Sequence, residues 1–271
     1  MLSIGRVSPG GADYYTDAVA RGAEDYYLGA GEAPGLWMGS GAGLLGLDGE
    51  VDETAFARLI DGCHPATGAR LVAEHDRRVA GLDLTFSSPK SVSLLWALHP
   101  DELVRAQVAE AHRAAVADAV DYLESDAVFA RRGRNGQYRI PTRGLVAAAF
   151  GHRTSRAADP QLHTHVVAAN LVCDHAGRWS APDSRSLFRH ARTAGFVYQA
   201  RLRYELTTRL GVEWGPVRSG QADVAGVSRE TIERFSTRRA QITGRLAERG
   251  LSSPNAARVA TLATRPTKTA E

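Results

Sequence analysis

Three of the chain's nine histidines fall within fourteen residues, in His152-Arg-Thr-Ser-Arg-Ala-Ala-Asp-Pro-Gln-Leu-His163-Thr-His165. If His163 and His165 lie on one strand, the two-residue period puts both rings on one face about 7 Å apart. The Val166-Val167-Ala168-Ala169-Asn170-Leu171-Val172 run that follows supports a strand. His152 closes an apolar run from Gly144 to Phe150, and an antiparallel return through Asp159-Pro160 would set it beside His163. Three imidazoles from two adjacent strands can hold a metal ion and leave one coordination position open, as catalytic sites do and closed structural sites do not. The other six histidines, His64, His75, His99, His112, His175 and His190, are isolated and read as structural.

Other residues could join such a site. Tyrosines occur as the pairs Tyr14-Tyr15 and Tyr26-Tyr27. A phenol has a pKa near 10, so it becomes a nucleophile only beside a base or a positive charge. Asp83 lies on the polar side of the alternating segment Gly81-Leu82-Asp83-Leu84-Thr85-Phe86, opposite Leu82, Leu84 and Phe86. Ser88-Pro89-Lys90 then reads as N-cap, N1 and N2 of a helix, whose free amides and Lys90 ammonium offer a site for an anion such as phosphate. Arg153 and Arg156, between the histidine strands, are candidate phosphate contacts.

The charge distribution points to the same kind of substrate. Net charge is +3, yet the first 130 residues hold 9 Lys+Arg against 20 Asp+Glu, leaving 24 against 10 for the rest. Lys90 and Lys268 are the sole lysines, so 31 of the 33 basic residues are arginine. Codon bias of a GC-rich genome accounts for the Arg/Lys ratio but not for the segregation. A basic half containing the histidine motif suits a polyanion, most commonly nucleic acid.

The elements that must position these residues follow from periodicity. Leu2 to Val7 reads as a strand, 12–20 as a helix, and the glycine-rich 29–50 as a loop with short helices. Asp101 to Glu124 is a long amphipathic helix with Leu103, Val108, Ala111, Ala115, Val116, Val120 and Leu123 near a 3.6 period. Val128 to Arg132 and Tyr138 to Ile140 flank a Gly133-Arg-Asn-Gly136 hairpin turn; the two histidine strands follow, then a turn at 174–177 and a helix from about Ser186 to Leu210. From about Ser228 an arginine-rich helix leads into a tail. The expected architecture is α+β: a mainly antiparallel sheet, helices on one face, an open face for metal and substrate, and a C-terminal helical extension. Two distant cysteines, no secretory signal and no long apolar run indicate a cytoplasmic protein without membrane insertion.

Taken together, the tyrosine pairs, the Gly81-Leu-Asp-Leu-Thr-Phe-Ser-Ser-Pro-Lys-Ser-Val-Ser-Leu94 segment and the three-histidine motif resemble the TrwC/TraI-type (MobF) conjugative relaxases, members of the HUH endonucleases. The resemblance covers most of residues 1 to about 240. It implies nicking and rejoining of one DNA strand at an origin of transfer through a covalent 5′-phosphotyrosine, with Tyr14 as first nucleophile, Tyr26 as second, and His152, His163 and His165 as metal ligands. Asp83 would orient an imidazole or take the tyrosine proton. The implied cofactor is a divalent cation, Mg or Mn in use, while ligand softness makes neutral imidazoles suit Zn or Mn better than Mg. Implied partners are single-stranded DNA with an adjacent hairpin, accessory proteins of the nicking complex, and a type IV secretion coupling protein, with passage of the full protein to the recipient cell. Residues 1–240 form the expected catalytic domain, and 241–271 an extension toward a further region, expected to be a helicase. Two other readings of the residues remain: a three-histidine hydrolase using metal-bound water, and a non-catalytic single-strand-binding module.

Overall fold

A computed structural model describes residues 1–9, 11, 34–72, 79–155, 157–237 and 240–241. Expectations for Tyr14, Tyr15, Tyr26, Tyr27, His75, Arg156 and the tail beyond 241 lie outside these residues. The described elements, in chain order, are β1 (Leu2–Val7), β2 (Leu36–Met38), α1 (Glu53–Ile60), β3 (Gly81–Ser87), α2 (Lys90–Leu98), α3 (Glu102–Asp126), β4 (Phe129–Arg132), β5 (Tyr138–Pro141), β6 (Ala147–Thr154), β7 (Pro160–Ala169), β8 (Val172–Cys173), β9 (Trp179–Ser180), α4 (Ser184–Leu210) and α5 (Arg229–Arg234). No helix among the described residues is long and apolar enough to cross a membrane.

Five strands form an antiparallel sheet in the order β1-β3-β7-β6-β2, which puts β7 at the centre. The pleat sorts its residues. Leu82, Leu84 and Phe86 of β3, with Leu162, Val166 and Ala168 of β7, face the core formed by α2, α3 and α4. Val167, Ala169, Ala148 and Phe150 face the other way and meet Phe56, Leu59 and Ile60 of α1 in a smaller core. The expected helix-covered face is therefore present. The second face is capped by α1 toward one end, and the histidines occupy the other.

Helix α3 starts where the sequence indicates, with the Asp101 carboxylate accepting from the Leu103 amide at 2.8 Å. Its expected apolar stripe is buried except for Leu103, which is 65% exposed on the first turn. Helix α2 begins one residue later than expected: Pro89 is the cap and Lys90 the first helical residue. Ser88 turns inward instead, its hydroxyl 2.9 Å from that of Ser93. The glycine-rich segment contains a 3-10 turn at Ala42–Leu45, as expected of a loop with short helices, but also β2, which pairs with Ala147–Ala149.

Candidate metal centre

The histidines converge because of register. His152 of β6 sits directly opposite His163 of β7, and His165 follows two residues along the same face. The three ring centroids are 5.3 Å (152 to 163), 5.1 Å (152 to 165) and 5.2 Å (163 to 165) apart. An ion about 2.1 Å from each ring nitrogen lies about 3.2 Å from each ring centre, and tetrahedral angles then separate the centres by about 5.2 Å. The spacing therefore fits one shared cation. Among the described residues no group of three or more His, Cys, Asp or Glu side chains meets the full geometry of a metal-binding cluster, so the fit rests on the donor set and the ring spacing.

Two of the three rings have a fixed tautomer. His163 Nδ1 is 2.9 Å from the Gln161 carbonyl, which only accepts, so Nδ1–H donates and the lone pair is on Nε2. His165 Nδ1 lies 2.9 Å from both carboxylate oxygens of Asp83, with the same result. Asp83 reaches it diagonally across the β3–β7 ladder, where Thr85 is the residue directly opposite His165. The Thr85 hydroxyl donates to Asp83 Oδ1 at 3.1 Å and stands 3.3 Å from His165 Nδ1. A carboxylate bonded behind a ligating imidazole is the arrangement that orients a ring and strengthens it as a donor. Burial pushes the His163 pKa down to about 3, helped by His165 and His152 and opposed by Gln161 and Asp83. At neutral pH that ring is the uncharged form that binds metals.

The turn joining the strands is tied down from several directions. Ser155 Oγ accepts from the amides of Ala157 and Asp159, both at 3.2 Å, and Asp159 Oδ1 accepts from the Thr237 hydroxyl at 2.9 Å. Lys90 Nζ donates to the Pro160 carbonyl at 2.7 Å, so the ammonium braces the start of β7 against α2. Burial lowers its pKa while Asp159 raises it. Arg153 lies within the register shift between His152 and Thr154, and its guanidinium sits 5.9 Å from the ring centre of Trp96 on α2.

A family model for the TrwC relaxase matches residues 8–271. The multifunctional conjugation protein TraI of Escherichia coli is 37% identical over 253 residues, 88% of this chain. The chain belongs to the TrwC relaxase family. It spans 14% of the length of that TraI relative. Among solved structures, TrwC bound to oriT DNA in its metal-bound form superposes with a TM-score of 0.85 at 35% identity, over all of this chain and 93% of that one. TrwC bound to a 27-mer DNA comprising the recognition hairpin and the cleavage site gives 0.80 at 34%, over all of this chain and 92% of that one.

For this relaxase, then, the described residues bring together His152, His163, His165 and Asp83, and set Lys90 and Arg153 on the α2 side of the hairpin. The sequence reading missed Thr85. Its signal was available, since Thr85 shares the polar face of β3 with Asp83.

Proposed function

We propose that this relaxase cuts one strand of DNA at a defined site in an origin of transfer and rejoins it through a covalent 5′-phosphotyrosine. The observation that carries the reading is the convergence of three imidazoles on the β6–β7 hairpin with Asp83 bonded behind His165. The similarity of the whole chain to TrwC complexes with oriT DNA supports it. His152, His163 and His165 would hold a divalent cation, which supplies polarisation of the scissile phosphate and offsets charge gathering on its oxygens. Magnesium or manganese is the ion we assign in use, although neutral imidazoles suit zinc or manganese better than magnesium.

The chain's own groups do the rest. Tyr14 Oη bonds to phosphorus as the bond from phosphorus to the 3′ oxygen breaks; the phenol gives up its proton and the departing 3′ oxygen takes one. One phosphodiester is exchanged for another, so the break is reversible without ATP. Both carboxylate oxygens of Asp83 are within bonding distance of one imidazole nitrogen, which favours the orienting role over that of base. Tyr26 is the second nucleophile, used when transfer ends. Arg153 and Arg156 are assigned to phosphates near the turn, since a guanidinium pairs with phosphate oxygens through its planar fork of donors. Lys90 serves mainly to brace the hairpin. The protein acts in the cytoplasm on a strand with an adjacent hairpin, alongside accessory proteins and a secretion coupling protein, and travels to the recipient cell.

The test is incubation with a labelled single strand carrying the nick site and Mg or Mn, followed by denaturing electrophoresis. A protein–DNA adduct should form, disappear with chelator or with Tyr14→Phe, and persist with Tyr26→Phe. An adduct that survives Tyr14→Phe and disappears with Tyr15→Phe would overturn the assignment of the nucleophile.

A further inference from the structure

The face of β7 turned away from the histidines carries a polar system that the nicking reaction does not use. Thr164 lies between His163 and His165, and the pleat points its side chain into the helical core. There its hydroxyl is 2.8 Å from His112 Nε2, and His112 Nδ1 is 2.7 Å from the Tyr198 hydroxyl. The three residues come from β7, α3 and α4 and are 7%, 2% and 0% exposed. On either side of His112, α3 contributes Val108, Ala111, Ala115 and Val116 to the same core. An apolar residue at 112 would fill that space without demanding polar partners, so the imidazole serves something other than volume.

The chain of bonds has a direction and an end point. Burial holds His112 uncharged, with a pKa pushed down to about 3, so it has one N–H and one lone pair; one hydroxyl must donate to it and the other accept. Tyr198 is itself seated against Phe86, 5.5 Å between ring centres, and Phe86 is the residue of β3 in register with Thr164. Apolar contacts let a strand slide by fractions of an ångström. Two short directional bonds converging on a single residue do not.

Resting on the reading that His163 and His165 hold the cation, we propose that His112, bridging Tyr198 to Thr164, is a positioning residue. It fixes the depth and pitch of β7 at Thr164, and thereby the aim of the rings on either side.

The test uses Co(II) as probe, because its visible absorption reports coordination geometry, together with thermal unfolding of the apoprotein. Thr164→Val and Tyr198→Phe each remove one hydroxyl at nearly constant volume. The triple variant Thr164→Val, His112→Leu, Tyr198→Phe removes the whole chain of bonds and leaves no polar atom of it stranded. The proposal expects about tenfold or greater loss of Co(II) affinity and an altered spectrum in the single variants. It expects the same loss in the triple variant even where its melting temperature returns to that of the parent. Parent-like affinity and spectrum in whichever of these variants fold would overturn it, as would recovery of affinity in step with stability in the triple variant. Failure of the parent itself to bind Co(II) would sink the metal reading and this inference with it. Binding by the parent with parent-like variants sinks the inference alone.

Discussion

The bond from Asp83 to His165 decides what the single residue contributes. Both oxygens meet one nitrogen at 2.9 Å, with the two side chains 15% and 14% exposed. Partners of this type usually govern metal affinity by about 10–100-fold when replaced. Asp83→Asn is expected to weaken Mn(II) binding within that range while leaving the fold intact; calorimetric titration giving parent-like affinity would remove Asp83 from the site. His112 allows a second prediction, on stability. Its folded pKa of about 3 lies below the value near 6.5 of an unfolded chain. Between those values the unfolded state binds a proton that the folded state refuses, so stability is complete above about pH 6.5 and falls as pH drops toward 3. One such group contributes a slope of about 1.4 kcal/mol per pH unit. Urea unfolding at pH 7, 6 and 5 should show the parent losing stability more steeply than His112→Leu by about that amount; parallel profiles would mean the ring is protonated in the fold.

At the scale of elements, legibility in the sequence followed the strength of each local pattern. β3, α3 and the β6–β7 pair were readable because period-two or period-3.6 burial runs through them for many residues, and the metal triad came with β6 and β7. β2 was not, since three residues between glycines have no period of their own and become a strand by pairing with β6. The facing of Arg153 was equally hidden, because a register shift beside His152 is a property of the pair of strands. His112 reads as a structural histidine in the sequence, and its partners 52 and 86 residues away leave no local signature. Gly39 shows how β2 is held. Its φ is +91°, and a Cβ there would stand 2.4 Å from the Leu145 carbonyl oxygen. Gly46 has φ +68° with open space around it. Gly46→Ala should cost about 1 kcal/mol from backbone strain alone, and Gly39→Ala about 2 kcal/mol more from the added collision. Equal losses in chemical denaturation would show that the Leu145 segment yields without cost.

The whole molecule separates its charge along the chain, acidic before residue 130 and basic after it, with the histidine hairpin in the basic part. For a protein that binds single-stranded DNA, each phosphate contact contributes about −0.7 to the slope of log affinity against log salt. Arg153→Ala should therefore shallow that slope by about 0.7, measured by fluorescence anisotropy with a labelled strand between about 50 and 200 mM salt. An unchanged slope would rule Arg153 out as a phosphate contact. At this scale the sequence shows that the halves differ in charge, while which arginines face the substrate depends on pairing and packing.

The order in which the histidine centre is built along the chain also bears on how the protein folds. All three imidazoles belong to one hairpin, β6 and β7, closed by a five-residue turn from Ser155 to Asp159. Asp83 and Thr85 come from a strand about 80 residues earlier, and the bonds at Thr164 come from two helices. Short-range contacts form before long-range ones because less loop entropy opposes them. The three donors are thus expected to meet early in folding and to acquire their aim late. A metal ion encountered during synthesis would then meet a loose site first, and tight binding would mark the arrival of the last long-range partner.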